Sequence, residues 1–235
     1  MAEPRTGLVA YFKHRHDPLT SLVLTVPVFL LYHLGILFIQ LRNGVDLVTE
    51  LTLELLERSV LAYVGVTLVI AAGLFAAGWL LRKKGKIKPA QLPPVLLEST
   101  VLAVIMMFTV GWATHQLLPG QTGGEPMGPL EKIVMAAGAG FHEELVFRVG
   151  LFAGGAWLLA RRMSKTRAAL IALVISSVVF SAVHYIGPLA DDFALGSFLF
   201  RVLAGAFLAA VYHFRGFAVA VYTHALYDVM VFFFV

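Results

Sequence analysis

Four ionisable side chains stand together in an otherwise apolar stretch, Phe141-His142-Glu143-Glu144-Leu145-Val146-Phe147-Arg148. A charge in the middle of a membrane helix costs about 2.5–3.5 kcal/mol on insertion scales, so such residues face a bundle interior or a water-filled cavity. On a helix Glu144 and Arg148 stand at i,i+4, the spacing of a carboxylate–guanidinium pair, while Glu143 points about 100° away. One carboxylate is then neutralised and the other is left to a cavity, where desolvation suits a carboxyl to general-base work near neutral pH. The plainer alternative has both carboxylates sharing Arg148 as glue between helices.

Phe180-Ser181-Ala182-Val183-His184 repeats the i,i+4 spacing, which stacks the ring on the imidazole and can fix its orientation. A hydrogen-bonded core histidine is the competing reading. His224-Ala225-Leu226-Tyr227-Asp228 puts two polar groups on one face of the last apolar stretch. They can bind a metal, orient a water or donate to an oxyanion if suitably protonated, or they form a simple structural pair. Glu98 and Arg201 are two further charges in apolar stretches. Either they pair across helices, because an unpaired charge is costly in lipid, or Arg201 receives a substrate carboxylate. His33 and His115 read as structural, and Met106, Met107 and Met135 as packing residues.

Taken in order, EExxxR (Glu143, Glu144, Arg148), FxxxH (Phe180, His184) and HxxxD (His224, Asp228) resemble the CAAX prenyl protease and bacteriocin-processing family. This family, also called the ABI family, includes the type II CAAX endopeptidases and many bacterial immunity-type proteins. The resemblance covers roughly residues 130–235, while 1–129 match only as membrane spans. It implies a metal-independent glutamate protease within the membrane, with no cofactor. Glu143, with His184, would activate a water that attacks the scissile carbonyl, and Glu144 would pair with Arg148 and hold the helix. His224 and the residue at 228 would stabilise the tetrahedral oxyanion. The commonest family pattern has Asn where Asp228 stands, and an ionised Asp cannot donate a hydrogen bond. Either Asp228 stays protonated, or it orients and charges His224 as an Asp does in a catalytic triad, the reading preferred here.

Membrane helices must position these residues. The chain has 235 residues, 59% hydrophobic and 14% charged, with a mean hydropathy of +0.84. A soluble chain carries about 25% charged residues, so lipid is the solvent. The net charge of +4 is read from where Lys and Arg fall rather than as a nucleic-acid signal, and no nucleic-acid partner is expected. The lack of cysteine excludes disulfides, thiolate ligands and a Cys nucleophile. A span needs about 20 apolar residues, and hydropathy marks seven: Leu19–Gln40, Ser59–Leu81, Val95–Leu118, Leu130–Ala160, Ala168–Leu189, Phe193–Tyr212 and Phe217–Val235. The first is too long for a signal-peptide core and lacks a cleavage pattern, so it is retained.

Basic segments before the first span, after the second and before the fifth alternate with acidic or nearly Lys/Arg-free loops. The predicted topology is an all-α bundle of seven or eight spans with the N-terminus cytoplasmic, a single integral domain over 1–235 with its catalytic core at about 130–235. As a straight helix, Leu130–Ala160 would measure about 46 Å. Gly150, Gly154 and Gly155 are expected to break it, and 47–57 to lie as an interfacial helix. Depth raises a conflict: His184 lies about 24 Å beyond Ala168, His224 about 12 Å beyond Gly216, and Glu143 about 20 Å from Pro129. Straight, untilted spans do not bring them together.

The expected function is an endopeptidase of the prokaryotic inner membrane. It would cleave near the C-terminus of membrane-associated or lipid-anchored and sorted proteins, with the bilayer and a membrane protein or lipidated peptide as partners. A zinc-dependent intramembrane protease is the first alternative, weakened because no HExxH occurs. A transporter or proton-coupled channel is a second, for which no inverted repeat is evident. A non-catalytic immunity or scaffold protein is the third.

Overall fold

The apolar runs fold as helices, and no strand occurs among the described residues. The computed structural model describes residues 11, 16–39, 60–83, 87–117, 128–186 and 190–234, without the side chains of 60 and 112–117. The predicted interfacial helix at 47–57 and the side chain of His115 lie outside the described residues. In chain order come α1 (Pro18–Gly35), α2 (Val60–Leu81), a 3-10 turn (Pro89–Gln91), α3 (Leu92–Leu117) and α4 (Pro129–Gly138). A π-helix (Ala139–Gly154) follows, then α5 (Gly155–Leu159), α6 (Lys165–Val183), α7 (Leu195–Arg215) and α8 (Phe217–Phe234).

Six helices among the described residues are long and apolar enough to cross a membrane: Pro18–Gly35, Leu61–Leu81, Pro89–Gly111, Lys165–Val183, Leu195–Arg215 and Phe217–Phe234. The remaining expected span is the continuous rod of α4, the π-helix and α5, which is packed at the centre against α8 and α6. α2 packs on α1 and turns Leu61, Phe75 and Leu80 outward, a surface that suits lipid rather than water.

Local chemistry sets the ends. Asp17 caps α1 by accepting from the Thr20 backbone N–H at 2.9 Å, with Pro18 opening the helix. Between α7 and α8 the chain reverses through Gly216, whose φ of 98° suits a residue without Cβ.

Two expectations are corrected. The rod does not break at Gly150, Gly154 or Gly155, because helix runs through all three. Glycine lowers helix propensity by about 1 kcal/mol; Gly150 and Gly154 are themselves exposed, and the packing of the rest of the rod against α6 and α8 overrides that cost. What changes is the winding, from i→i+4 to i→i+5 hydrogen bonding at Ala139.

Nor does Glu98 pair with Arg201. Its carboxylate takes Arg215, Nε to Oε1 at 2.6 Å, and accepts from the Tyr11 hydroxyl at 2.6 Å. Burial, reinforced by the Glu98 hydrogen bond and charge, holds that phenol above its usual range. The reason is height along the helix: Arg201 lies 14 residues, or about 21 Å, from Arg215 on α7, out of reach of a carboxylate near the start of α3.

The Glu98–Arg215 pair also bears on the depth of His224. Glu98 is six residues into α3, so the turn at Gly216 is recessed by about 9 Å from the start of that helix. The bond from Ser99 Oγ to the Val219 carbonyl, 3.2 Å, keeps α8 at the same level. Adding this recess puts His224 about 21 Å along the bundle from the level at which α3 starts.

Candidate active site

Three elements supply the polar residues. The π-helix carries Glu143, Glu144 and Arg148, the C-terminal end of α6 carries His184, and the third and fourth turns of α8 carry His224 and Asp228. Gly140 makes the approach possible: a Cβ there would lie 2.7 Å from Ala225 Cβ and 2.9 Å from the Ala225 nitrogen and the Val221 carbonyl. Without a side chain at 140, the backbone of α8 rests directly on the π-helix. Gly205 lets α7 approach α6 in the same way, 3.1 Å from Ser177 Cα and 3.2 Å from the Phe180 ring. On the other side of α6, Ser176 donates to the Phe147 carbonyl at 2.8 Å and ties that helix to the π-helix.

Glu143 is at the centre and is 2% exposed. Its Oε1 lies 3.8 Å from His184 Nε2, and its Oε2 lies 3.8 Å from His224 Nε2. The Phe180 carbonyl, 2.7 Å from His184 Nδ1, can only accept, so Nδ1 carries the hydrogen and Nε2 is the nitrogen turned to Glu143. As the i,i+4 spacing predicts, the Phe180 ring stands edge to face with His184 at 5.1 Å. The same ring lies 6.1 Å from His224 and receives the Arg148 guanidinium at 4.6 Å, so one aromatic contacts three site residues.

Glu144 is the hub of the second layer. Its Oε2 lies 3.1 Å from Arg148 Nε, the expected i,i+4 pair, and its Oε1 lies 2.9 Å from His224 Nδ1. The Nδ1 position of an orienting carboxylate on His224 is therefore held by Glu144. Asp228 instead places Oδ2 3.5 Å from Nε2, the nitrogen that faces Glu143. Glu144 and Arg148 are fully buried, whereas the side chains of His184 and Asp228 keep 13% and 14% exposure, so these two form the open side of the site.

Arg201 lies on that open side, engaged by a carboxylate of the chain itself. It forms an ion pair with Asp191 and donates to Tyr185 Oη at 2.9 Å and Ser197 Oγ at 2.7 Å. The Asp191 backbone N–H donates to the His184 carbonyl at 3.0 Å, which joins the Arg201 cluster to the end of α6.

One polar cluster escaped the sequence reading. His33 Nε2 lies 3.2 Å from His142 Nε2, and the Tyr63 hydroxyl lies 2.8 Å from His33 Nδ1. Residues 109 positions apart on different helices share no periodicity, and no local signal could have joined them. Among the described residues, no group of three or more His, Cys, Asp or Glu side chains is arranged to hold a metal ion.

No curated protein and no solved structure matches the chain. Residues 127–230, which carry Glu143, Glu144, Arg148, Phe180, His184, His224 and Asp228, match the family model described as Type II CAAX prenyl endopeptidase Rce1-like, and over this stretch the family resemblance read from the three motifs holds.

Proposed function

We propose that the chain is an intramembrane endopeptidase of the glutamate type, cleaving near the C-terminus of membrane-associated, lipid-anchored or sorted proteins. One observation carries the reading: inside an apolar bundle, the two oxygens of a single buried carboxylate each face a different imidazole Nε2 at 3.8 Å. That separation exceeds a direct hydrogen bond and can be bridged by a water within reach of both Glu143 and His184.

In this mechanism Glu143 takes a proton from that water as its oxygen attacks the scissile carbonyl carbon. The carbonyl oxygen becomes an oxyanion, facing His224 Nε2–H and the Asp228 carboxyl. Collapse breaks the C–N bond, and the proton on Glu143 passes to the leaving nitrogen. His224 donates from Nε2 while Nδ1–H is held by Glu144 only as the imidazolium, and the Glu144 carboxylate beside it supplies balancing charge. Glu144 thus takes the orienting part that the triad analogy assigned to Asp228. Asp228 acts on the oxyanion side in its protonated form. Each such donor contributes about 3–4 kcal/mol to the transition state. Arg201 would receive a carboxylate of the substrate in exchange for Asp191.

The test uses the purified full-length chain in detergent micelles. It is offered a panel of peptides carrying a C-terminal membrane anchor or a lipidated cysteine near the C-terminus, and products are read by mass spectrometry. Cleavage lost in both Glu143→Gln and His184→Ala supports the assignment, and cleavage surviving them overturns it. Cleavage lost on chelation and restored by zinc would replace it with metal chemistry at Glu143, His184 and His224.

A further inference from the structure

The bundle buries a second polar cluster that the chemistry above does not use: His33 on α1, Tyr63 on α2 and His142 on the π-helix, one residue before Glu143. Its contacts form a line. His142 Nδ1 lies 3.0 Å from the Gly138 carbonyl, His142 Nε2 lies 3.2 Å from His33 Nε2, and His33 Nδ1 lies 2.8 Å from Tyr63 Oη. Thr67 Oγ1 adds a longer contact to the same His33 nitrogen at 3.5 Å.

A single fixed acceptor sets the direction of the whole line. The Gly138 carbonyl can only accept, so His142 carries its hydrogen on Nδ1, and in the neutral ring its Nε2 is an acceptor. His33 must then donate from Nε2, which leaves its Nδ1 to accept from the Tyr63 hydroxyl. With both rings neutral, every member is satisfied in one arrangement, and reversing any link breaks another.

The place where the line ends gives it meaning. Gly138 closes α4 and Ala139 opens the π-helix, so the acceptor sits where the winding widens. In an α-helix that carbonyl would bond the backbone N–H of His142, four residues on. Here the imidazole of the same residue brings it a side-chain donor at the start of the turn that carries Glu143. The rings of Tyr32 and Phe141 flank His142 at 5.0 and 5.3 Å, and Phe29 flanks His33 at 4.2 Å, so the imidazoles have little room to rotate.

We infer that Tyr63, His33 and His142 form a directed hydrogen-bond chain that anchors this turn, which makes them positioning residues for Glu143. The direction of the chain stands on geometry alone; its consequence for catalysis rests on the reading of Glu143 as the base.

The test is NMR of the full-length protein in micelles, with nitrogen-15 histidine rings and carbon-13 glutamate carboxyls. The expected result is His142 protonated on Nδ1, His33 protonated on Nε2, and a scalar coupling across the N–H···N bond between the two rings. Tyr63→Phe, which deletes only the terminal hydroxyl, should shift His33 Nδ1 and also the Glu143 carboxyl signal. Opposite tautomers, no coupling, or an unmoved Glu143 signal would overturn the inference, whether or not any peptide is cleaved. With a cleaved peptide, Tyr63→Phe should lower kcat by about ten-fold with KM within about two-fold, as expected for a misplaced base. His142→Gln, which can keep a donor on the Gly138 carbonyl, should retain more activity than His142→Phe. An unchanged kcat in Tyr63→Phe would also overturn the positioning role.

Discussion

The carboxylate of Glu144 touches His224 Nδ1 at 2.9 Å, although the two residues are 80 positions apart and on different helices. Its other oxygen faces Arg148 Nε at 3.1 Å. One buried group thus joins the π-helix to α8 and balances a buried cation, in surroundings where such contacts are strengthened by low polarity. Its neighbour Glu143, one residue earlier, faces the two Nε2 atoms instead. Adjacent carboxylates thus have separate surroundings, one against Arg148 and His224 Nδ1 and the other between two imidazole Nε2 atoms, because consecutive helical residues point in different directions.

Glu144→Ala should therefore act first on stability. It leaves the guanidinium of Arg148, 0% exposed, without its carboxylate, and breaking a buried pair in this way costs about 3–5 kcal/mol. Thermal unfolding in detergent should show a clear fall in Tm for Glu144→Ala and a smaller one for Glu144→Gln, which can still accept from His224. An unchanged Tm in Glu144→Ala would show that the bridge contributes nothing to the fold.

Glu143→Gln should behave in the opposite way. At 3.8 Å from both Nε2 atoms its oxygens make no direct hydrogen bond to either imidazole, and the amide has the same shape. Tm should stay close to that of the native chain while cleavage falls by about 10²–10⁴-fold, the contribution of a positioned general base. A protein that loses Tm and activity together would mark Glu143 as structural.

Much of this site was legible beforehand, for a definite reason. Glu144 with Arg148, Phe180 with His184 and His224 with Asp228 each lie on one helical face, and i,i+4 spacing reports that directly. Contacts between helices carry no such mark. The Glu144–His224 bond, the His33–His142 pair and the partnership of Glu98 with Arg215 depend on which faces meet and at what height, and periodicity says nothing of either. The π winding was equally hidden, since it is the packing of α6 and α8 around Ala139–Gly154 that the sequence pattern does not encode.

Gly140→Ala tests whether close helix contact builds the site. The new Cβ would meet backbone atoms of α8 at 2.9 Å, and a backbone cannot swing aside as a flexible side chain does. Overpacking of this kind costs about 1–3 kcal/mol and should displace His224 from Glu143. Tm and cleavage should fall together. Gly73→Ala on α2, where a Cβ meets nothing within 4 Å, is the control and should be neutral or slightly stabilising. Equal tolerance at both positions would dissociate the close approach of α8 from function.

Asp228 is the residue at which this chain departs from the commonest pattern of the family it resembles, and its geometry predicts the effect of an Asn there. Oδ2 lies 3.5 Å from His224 Nε2, on the side facing Glu143 rather than behind the ring. From there a side chain serves the oxyanion only by donating, which a carboxyl does when protonated and an amide does at any pH. Asp228→Asn should therefore keep or raise kcat and extend cleavage to higher pH, because the amide has no proton to lose. Asp228→Ala, lacking a donor, should lose about 10²-fold or more, in line with removal of an oxyanion donor. The check is kcat against pH for the three proteins. If Asp228→Asn were as damaged as Asp228→Ala, the negative charge rather than the donated hydrogen bond would be the essential feature, and Asp228 would belong with Glu144 among the groups that hold His224.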